Sequence, residues 1–244
     1  MKLLINPCKF FLIYLFVIAG FFINHPVFAK KISASQQQKF IHFMLPKVKL
    51  ANNQVLMVRA QIKKLHQIYE LNGKLSAPRE HWVFKIARKY SINNFVITSE
   101  RKWGMLLSRV DILPNSLVLA QAINESGWGK SYFAKEGNNY FGQWCTAKGC
   151  GIVPRKRPKG RTYEVKKFPN AEASVKSYLL NINTHRAYHY LRSIRKNLRI
   201  TNQPMSGLLL VDGLSHYSQK KGKYVTLLEQ IIKSYNLENY DAVY

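Results

Sequence analysis

A mainly apolar stretch that ends abruptly on a carboxylate constrains this chain more than any other feature. Val118-Leu-Ala-Gln-Ala-Ile-Asn-Glu-Ser-Gly-Trp-Gly-Lys-Ser131 reads as a helix that stops near Glu125, with Pro114 in its first turn and Gly127 and Gly129 at its exit. Proline suits a first turn because its missing N–H needs no partner there. Glycine suits an exit because it adopts φ > 0 without steric cost. Residues 118, 121 and 122 lie one or two turns before Glu125 and share its face, and Val118 and Ala122 are apolar. A carboxyl held against such neighbours, with Trp128 beside it, resists ionisation and its pKa rises. A general acid working near neutral pH needs that property. From residue types alone, a solvated and idle glutamate in a last helical turn is the more ordinary reading.

Asn138-Asn-Tyr-Phe-Gly-Gln-Trp144 follows closely. Asn, aromatic and Gly residues at a helix exit present amides and flat apolar faces, the groups that bind sugar hydroxyls and sugar rings. Ala122–Ser131 and Asn138-Asn-Tyr-Phe-Gly142 together closely resemble the glucosaminidases of glycoside hydrolase family 73, which cut bacterial peptidoglycan. Within that family the chain most resembles the Bax-type proteins of Gram-negative bacteria, from about Arg79 to about Asn236. The resemblance implies a mainly α (α+β) fold, a lysozyme-like helical domain with a small β-lobe, and Glu125 as the catalytic acid. It also implies Tyr140 and Trp144 in the cleft, with Asn139 and Trp128 as further sugar contacts and Phe141 as structural.

Glycoside hydrolysis ordinarily uses two carboxyls: one protonates the leaving oxygen, the other activates water or forms the covalent bond. Arg161-Thr-Tyr-Glu-Val-Lys-Lys-Phe168 has the β-branched and aromatic content of a strand. Several family 73 enzymes place a second functional Glu in such a strand, and Glu164 stands at the comparable place. The Bax-type pattern does not reliably put an acid there, so a solvated strand residue is an equal reading. In that case the substrate's own N-acetyl group acts as nucleophile. Asn183-Thr-His-Arg-Ala-Tyr188 resembles a passage that places Tyr188 at the cleft floor. Leu214-Ser-His-Tyr-Ser218 resembles the family's Gly-Tyr-Ser passage, although Ser215 and His216 depart from it. Its tyrosine, here Tyr217, lies near the acid in the family and orients substrate or water.

The 38 Lys and Arg outnumber 12 Asp and Glu, for a formal net charge of +26. Such a surface draws polyanions of any kind. The first residues argue against nucleic acid. A short basic start, an unbroken apolar run Phe10–Ile23 and the small-residue pattern Val27-Phe28-Ala29 read as a signal peptide, residues 1–29, cut after Ala29. The rival is an uncleaved inner-membrane anchor, but the run is short for a span of about 20 apolar residues. Cys8 precedes the run, so it is not a lipoprotein cysteine. The expected product is a periplasmic monomer with no stable membrane span, meeting peptidoglycan glycan strands before any nucleic acid. Outside the cytoplasm Cys145 and Cys150 can pair as a disulfide across a loop containing Gly149. A zinc site wants four ligands, and the nearest histidine, His185, is far along the chain. Neither a cofactor nor a metal is expected.

Residues 30–76 carry no chemistry. Ser35 with Gln38 has the form of a capping box, apolar residues recur at helical spacing, Pro46 kinks or divides the first helix, and Asn72-Gly73 ends the second. The pattern predicts an N-terminal helical extension, a hairpin or a spacer, ahead of a catalytic domain at 77–244. Trp82, Ile86 and Tyr90, then Trp103, Leu106, Leu107 and Val110, form core stripes. Val175, Tyr178, Leu179 and Ile182 face inward from a helix over 171–181. The leading expectation is an endo-β-N-acetylglucosaminidase acting on peptidoglycan. A lytic transglycosylase and a non-catalytic cationic wall-binding protein are the alternatives.

Overall fold

A computed structural model describes residues 32–215, 217 and 221–241, so the expected signal peptide and His216 lie outside the described residues. The fold is mainly helical with one small sheet, as expected. Its first helix, α1, is a single 39-residue rod, Ala34–Asn72, about 58 Å long. Ser33, not Ser35, caps its start by accepting from the Gln36 N–H, and Gly73 at φ 67° ends it. Pro46 sits inside without dividing it. An interior proline costs about 3 kcal/mol. Burying Phe40, Ile41, Met44 and Val48 in the main core returns about 1.5–3 kcal/mol each, so continuity wins. The expected extension is therefore no appendage. Residues 40–51 share the main core with the acid-bearing helix, and Ile62 and Leu65 build a second core.

That second core is closed by α2 (Ala77–Lys89) and α3 (Glu100–Arg109). It contains Val83, Ile86, Tyr90, Trp103, Leu106 and Val110, with Trp82 and Leu107 only half-buried at its edge. The acid helix, α4 (Asn115–Ser126), is buried on nearly every face, the mark of a central core helix. Gly127, Trp128 and Gly129 follow in succession at φ 55°, 59° and 71°. The sequence predicts the two glycines. Trp128 adopts the left-handed region against its own Cβ, held by edge contacts to Tyr235 at 4.8 Å and Phe40 at 5.9 Å.

A short helix, α5 (Tyr132–Gly137), leads into the lobe. There β1 (Trp144–Cys145) and β2 (Gly151–Ile152) flank β3 (Glu164–Lys166) in an antiparallel sheet of order β1-β3-β2. The expected Cys145–Cys150 disulfide closes the loop between β1 and β2, Cα–Cα 6.2 Å. The remaining helices are α6 (Ala171–Thr184), α7 (His189–Ile200), α8 (Gly207–Leu210) and α9 (Lys221–Ser234). Val175, Tyr178, Leu179 and Ile182 of α6 are all in the core, as read from their spacing. No helix among the described residues is long and apolar enough to cross a membrane.

Close packing at Gly213 gives a first test. A methyl there would overlap Cα and Cβ of Leu191 on α7, and backbone cannot swing aside. Gly213→Ala should cost about 3 kcal/mol and lower Tm by roughly 6–12 °C in a chain of this size. An unchanged thermal unfolding curve would refute the tight approach.

Candidate active site

Glu125 sits in the last turn of α4, half-buried. One carboxylate oxygen, Oε1, accepts from Tyr224 Oη at 2.8 Å and from Asn124 Nδ2 at 3.0 Å. The other faces Gly142, where a methyl would lie 3.8 Å from Oε2. Gly142 stands at φ 65°, so a side chain beside Oε2 is disfavoured there. Burial pushes the Glu125 carboxyl above its usual range, and the bonds from Tyr224 and Asn124 offset only part of that.

Behind Glu125 runs a chain of buried donors. Tyr178 of α6 donates to Gln121 Oε1, Gln121 Nε2 donates to Tyr224 Oη at 3.0 Å, and Tyr224 donates to Glu125. Burial and the nearby Glu125 charge hold the hydroxyls of Tyr178, Tyr217 and Tyr224 well above the usual phenol range. They remain protonated and act as donors. The direction of this relay is therefore toward the carboxylate, and it anchors Oε1, while Oε2 has no hydrogen-bond donor among the described residues.

The tyrosine hydrogen-bonded to the acid is thus Tyr224, while Tyr217, expected near the acid, is close enough to feel its charge but bonds elsewhere. Tyr217 stacks on Tyr224 (ring centroids 5.5 Å apart, planes within 8°) and donates to the Phe141 carbonyl at 2.8 Å. It fixes the 140–142 loop and the ring of Tyr224. Tyr188 is fully buried 6.0 Å from the Tyr217 ring, in the packing behind the site and away from any surface.

Asn139 is also placed otherwise than expected. Its Nδ2 donates to the carbonyls of Gln143 and Lys166, and its Oδ1 accepts from the Gln143 and Phe141 N–H groups. With its amide consumed, it is a bracket that ties the 139–143 turn to β3. Phe141 is buried and stacks on Tyr178 at 4.1 Å, a structural residue as anticipated. Trp128 and Tyr140 do meet. With Phe40, Phe43, Lys39 and Lys130 they line a groove of about 300 Å³ beside the exit of α4. Trp144 lies apart on β1, half-buried and edge-on to Tyr163 at 4.3 Å.

Glu164 is neither solvated nor free. Its two oxygens accept the N–H groups of Gly149 (3.0 Å) and Gly151 (2.8 Å), on either side of Cys150. Those two backbone bonds, with Arg157 nearby, hold its carboxyl below the usual range. It is an ionised clasp on the disulfide loop.

Sequence reading missed Tyr224, Gln121 and the groove aromatics Phe40 and Phe43. Gln121 had a legible signal, a polar residue one turn before Glu125 in an otherwise apolar run. Tyr224, on a different helix, had none.

Comparison with known proteins places this geometry. Residues 103–237 match the family model Glucosaminidase, described as mannosyl-glycoprotein endo-beta-N-acetylglucosaminidase. Protein bax of Escherichia coli (strain K12) is 31% identical over 190 residues, covering 78% of this chain and 66% of that protein. The chain thus spans just under two thirds of that relative's length. The catalytic domain of the autolysin Auto from Listeria monocytogenes superposes with a TM-score of 0.47 at 17% identity, over 86% of this chain and 89% of that one. With a family model matched across more than half its length, its acid helix and β-lobe included, this chain belongs to the family 73 glucosaminidases, a family of glycoside hydrolases.

Proposed function

We propose that the chain is an exported endo-β-N-acetylglucosaminidase that hydrolyses the glycan strands of peptidoglycan, with Glu125 as general acid. One observation carries the reading: a half-buried carboxyl raised by burial, with Oε1 tied to Tyr224 and Oε2 facing Gly142. A proton retained on Oε2 is the one a leaving glycosidic oxygen can take. The family match supports an N-acetylglucosamine-containing glycan as substrate, and the apolar run at Phe10–Ile23 supports export.

Glu164 is committed to the loop, so we assign the second role to the substrate. Its N-acetyl oxygen attacks the anomeric carbon as the glycosidic C–O bond breaks and Glu125 protonates the departing oxygen. Glu125, then a carboxylate, takes a proton from the water that opens the cyclic intermediate. Trp128, Tyr140 and Phe43 offer flat faces for sugar rings in the groove at the exit of α4, which Glu125 itself does not line. Digestion of purified peptidoglycan, with the fragments analysed by mass, tests the whole reading. Reducing N-acetylglucosamine ends are expected, whereas anhydro-muramoyl ends would make the protein a lytic transglycosylase.

Tyr224→Phe separates positioning from packing. Its hydroxyl favours the ionised form of Glu125, so its loss raises the acid's pKa further and moves the alkaline limb of the pH–rate profile to higher pH. The orphaned Gln121 amide should cost about 1–3 kcal/mol of stability. A limb that stays put while stability falls would leave Tyr224 with a structural role only.

A further inference from the structure

A second cavity, of about 630 Å³, opens between α1, α3 and α7, and Glu125 does not line it. Its walls carry Arg59, Lys63, Arg195, Lys196 and Arg199, against Asp111 as the one acidic lining residue among those described. Arg195 is 1% exposed and donates to the carbonyls of Ser108, Asp111 and Ile112. Arg59 lies 3.5 Å from Asp111 and donates to the carbonyls of Leu107 and Val110. Arg199 grips both Asp111 oxygens, at 2.9 and 3.2 Å.

Closing the end of α3 accounts for Arg59 and Arg195, whose donors go to its last carbonyls and the turn beyond. It does not balance the charge. Three guanidiniums face one carboxylate, and a helix C-terminus contributes only about half a negative charge. More than one positive charge is left over before Lys63 and Lys196 are counted. Buried charge is costly unless it is paired, and the strain registers on Arg195, which burial pulls down to about 10. The missing counter-charge has room to enter, since cavities of roughly 300–1,000 Å³ hold small ligands. Leu56, Leu107 and Ile200 on the same walls add apolar surface for whatever carries the charge.

We infer that the cavity between α1, α3 and α7 is an anion site for a phosphate-bearing ligand, gripped by Lys63, Lys196 and Arg199. A multiply charged phosphate answers the excess better than a single carboxylate, and Arg199, whose Nε and Nη2 are held by Asp111, keeps Nη1 for it. The site is separate from glycan hydrolysis and stands whether or not that reading holds.

Inorganic pyrophosphate is the probe, titrated into the chain by calorimetry and by thermal shift. Saturable one-to-one binding is expected. Lys63→Gln/Lys196→Gln changes two exposed residues, which keeps folding out of the comparison, and should weaken binding by about 10-fold or more. Lys156→Gln/Lys159→Gln, in the lysine- and arginine-rich segment 155–161 between β2 and β3, serves as the control for diffuse charge and should leave binding intact. Vesicles containing phosphatidylglycerol locate the source. Vesicle binding lost in the Lys63/Lys196 variant makes the ligand a lipid headgroup, and vesicle binding unchanged makes it a free or polymer-borne phosphate. Non-saturable binding, or an equal loss in the loop variant, would overturn the site.

Discussion

Glu125→Gln should reduce peptidoglycan cleavage by about 10²–10⁴-fold, the usual contribution of a positioned general acid, and should also stabilise the protein at neutral pH. The two effects have one cause. Burial raises the folded-state pKa of Glu125 above its unfolded value, so the folded chain binds that proton more tightly. Stability is therefore lost as pH rises from the ordinary glutamate range, about 4.3, through the raised folded value. Above that window the wild-type chain holds a half-buried anion. Glutamine is neutral throughout and still accepts from Tyr224. The variant's Tm should exceed the wild type's at pH 7 and converge with it below about pH 4. Equal Tm values across that range would remove the environment on which the acid role depends. Catalysis itself should decline as pH rises through the same folded pKa, because the ionised carboxylate has no proton to give.

The largest loss of stability is expected at Arg195. Arg195→Met keeps much of the side-chain volume but removes the donors on the Ser108, Asp111 and Ile112 carbonyls. The Asp111 carbonyl keeps Asn183 as a partner at 2.9 Å, and the other two have no second donor among the described residues. Each buried orphan costs about 1–3 kcal/mol. Asp111 also loses a cation that holds its carboxyl below the usual range, although Arg199 and Arg59 remain. A total near 3–5 kcal/mol follows, a large share of the 5–15 kcal/mol that typically holds a domain together. Thermal unfolding should fall by roughly 10 °C or more. Relief of the positive excess in the same cavity opposes this, so a small or favourable change would mean that charge, not carbonyl capping, governs the site.

The acid helix was legible because its information is local. A helical apolar run, a terminal Glu and two glycines fix where the carboxyl stands, and the core stripes of α2, α3 and α6 repeat at 3.6 residues for the same reason. The disulfide was legible from five residues of separation and an expected compartment. The unity of α1 was not, because Pro46 is a local signal to stop and the burial that overrides it comes from residues far along the chain. Asn139 and Glu164 look in sequence like sugar-binding and catalytic groups. Only the folded chain aims backbone N–H and C=O groups at them and uses up their bonding capacity. The sequence by itself determined that a carboxyl would end a buried helix beside aromatic residues. The tertiary structure alone decided which tyrosine hydrogen-bonds to it, since Tyr217 and Tyr224 are the same residue type and only the packing of α9 against α4 carries the Tyr224 hydroxyl to Glu125.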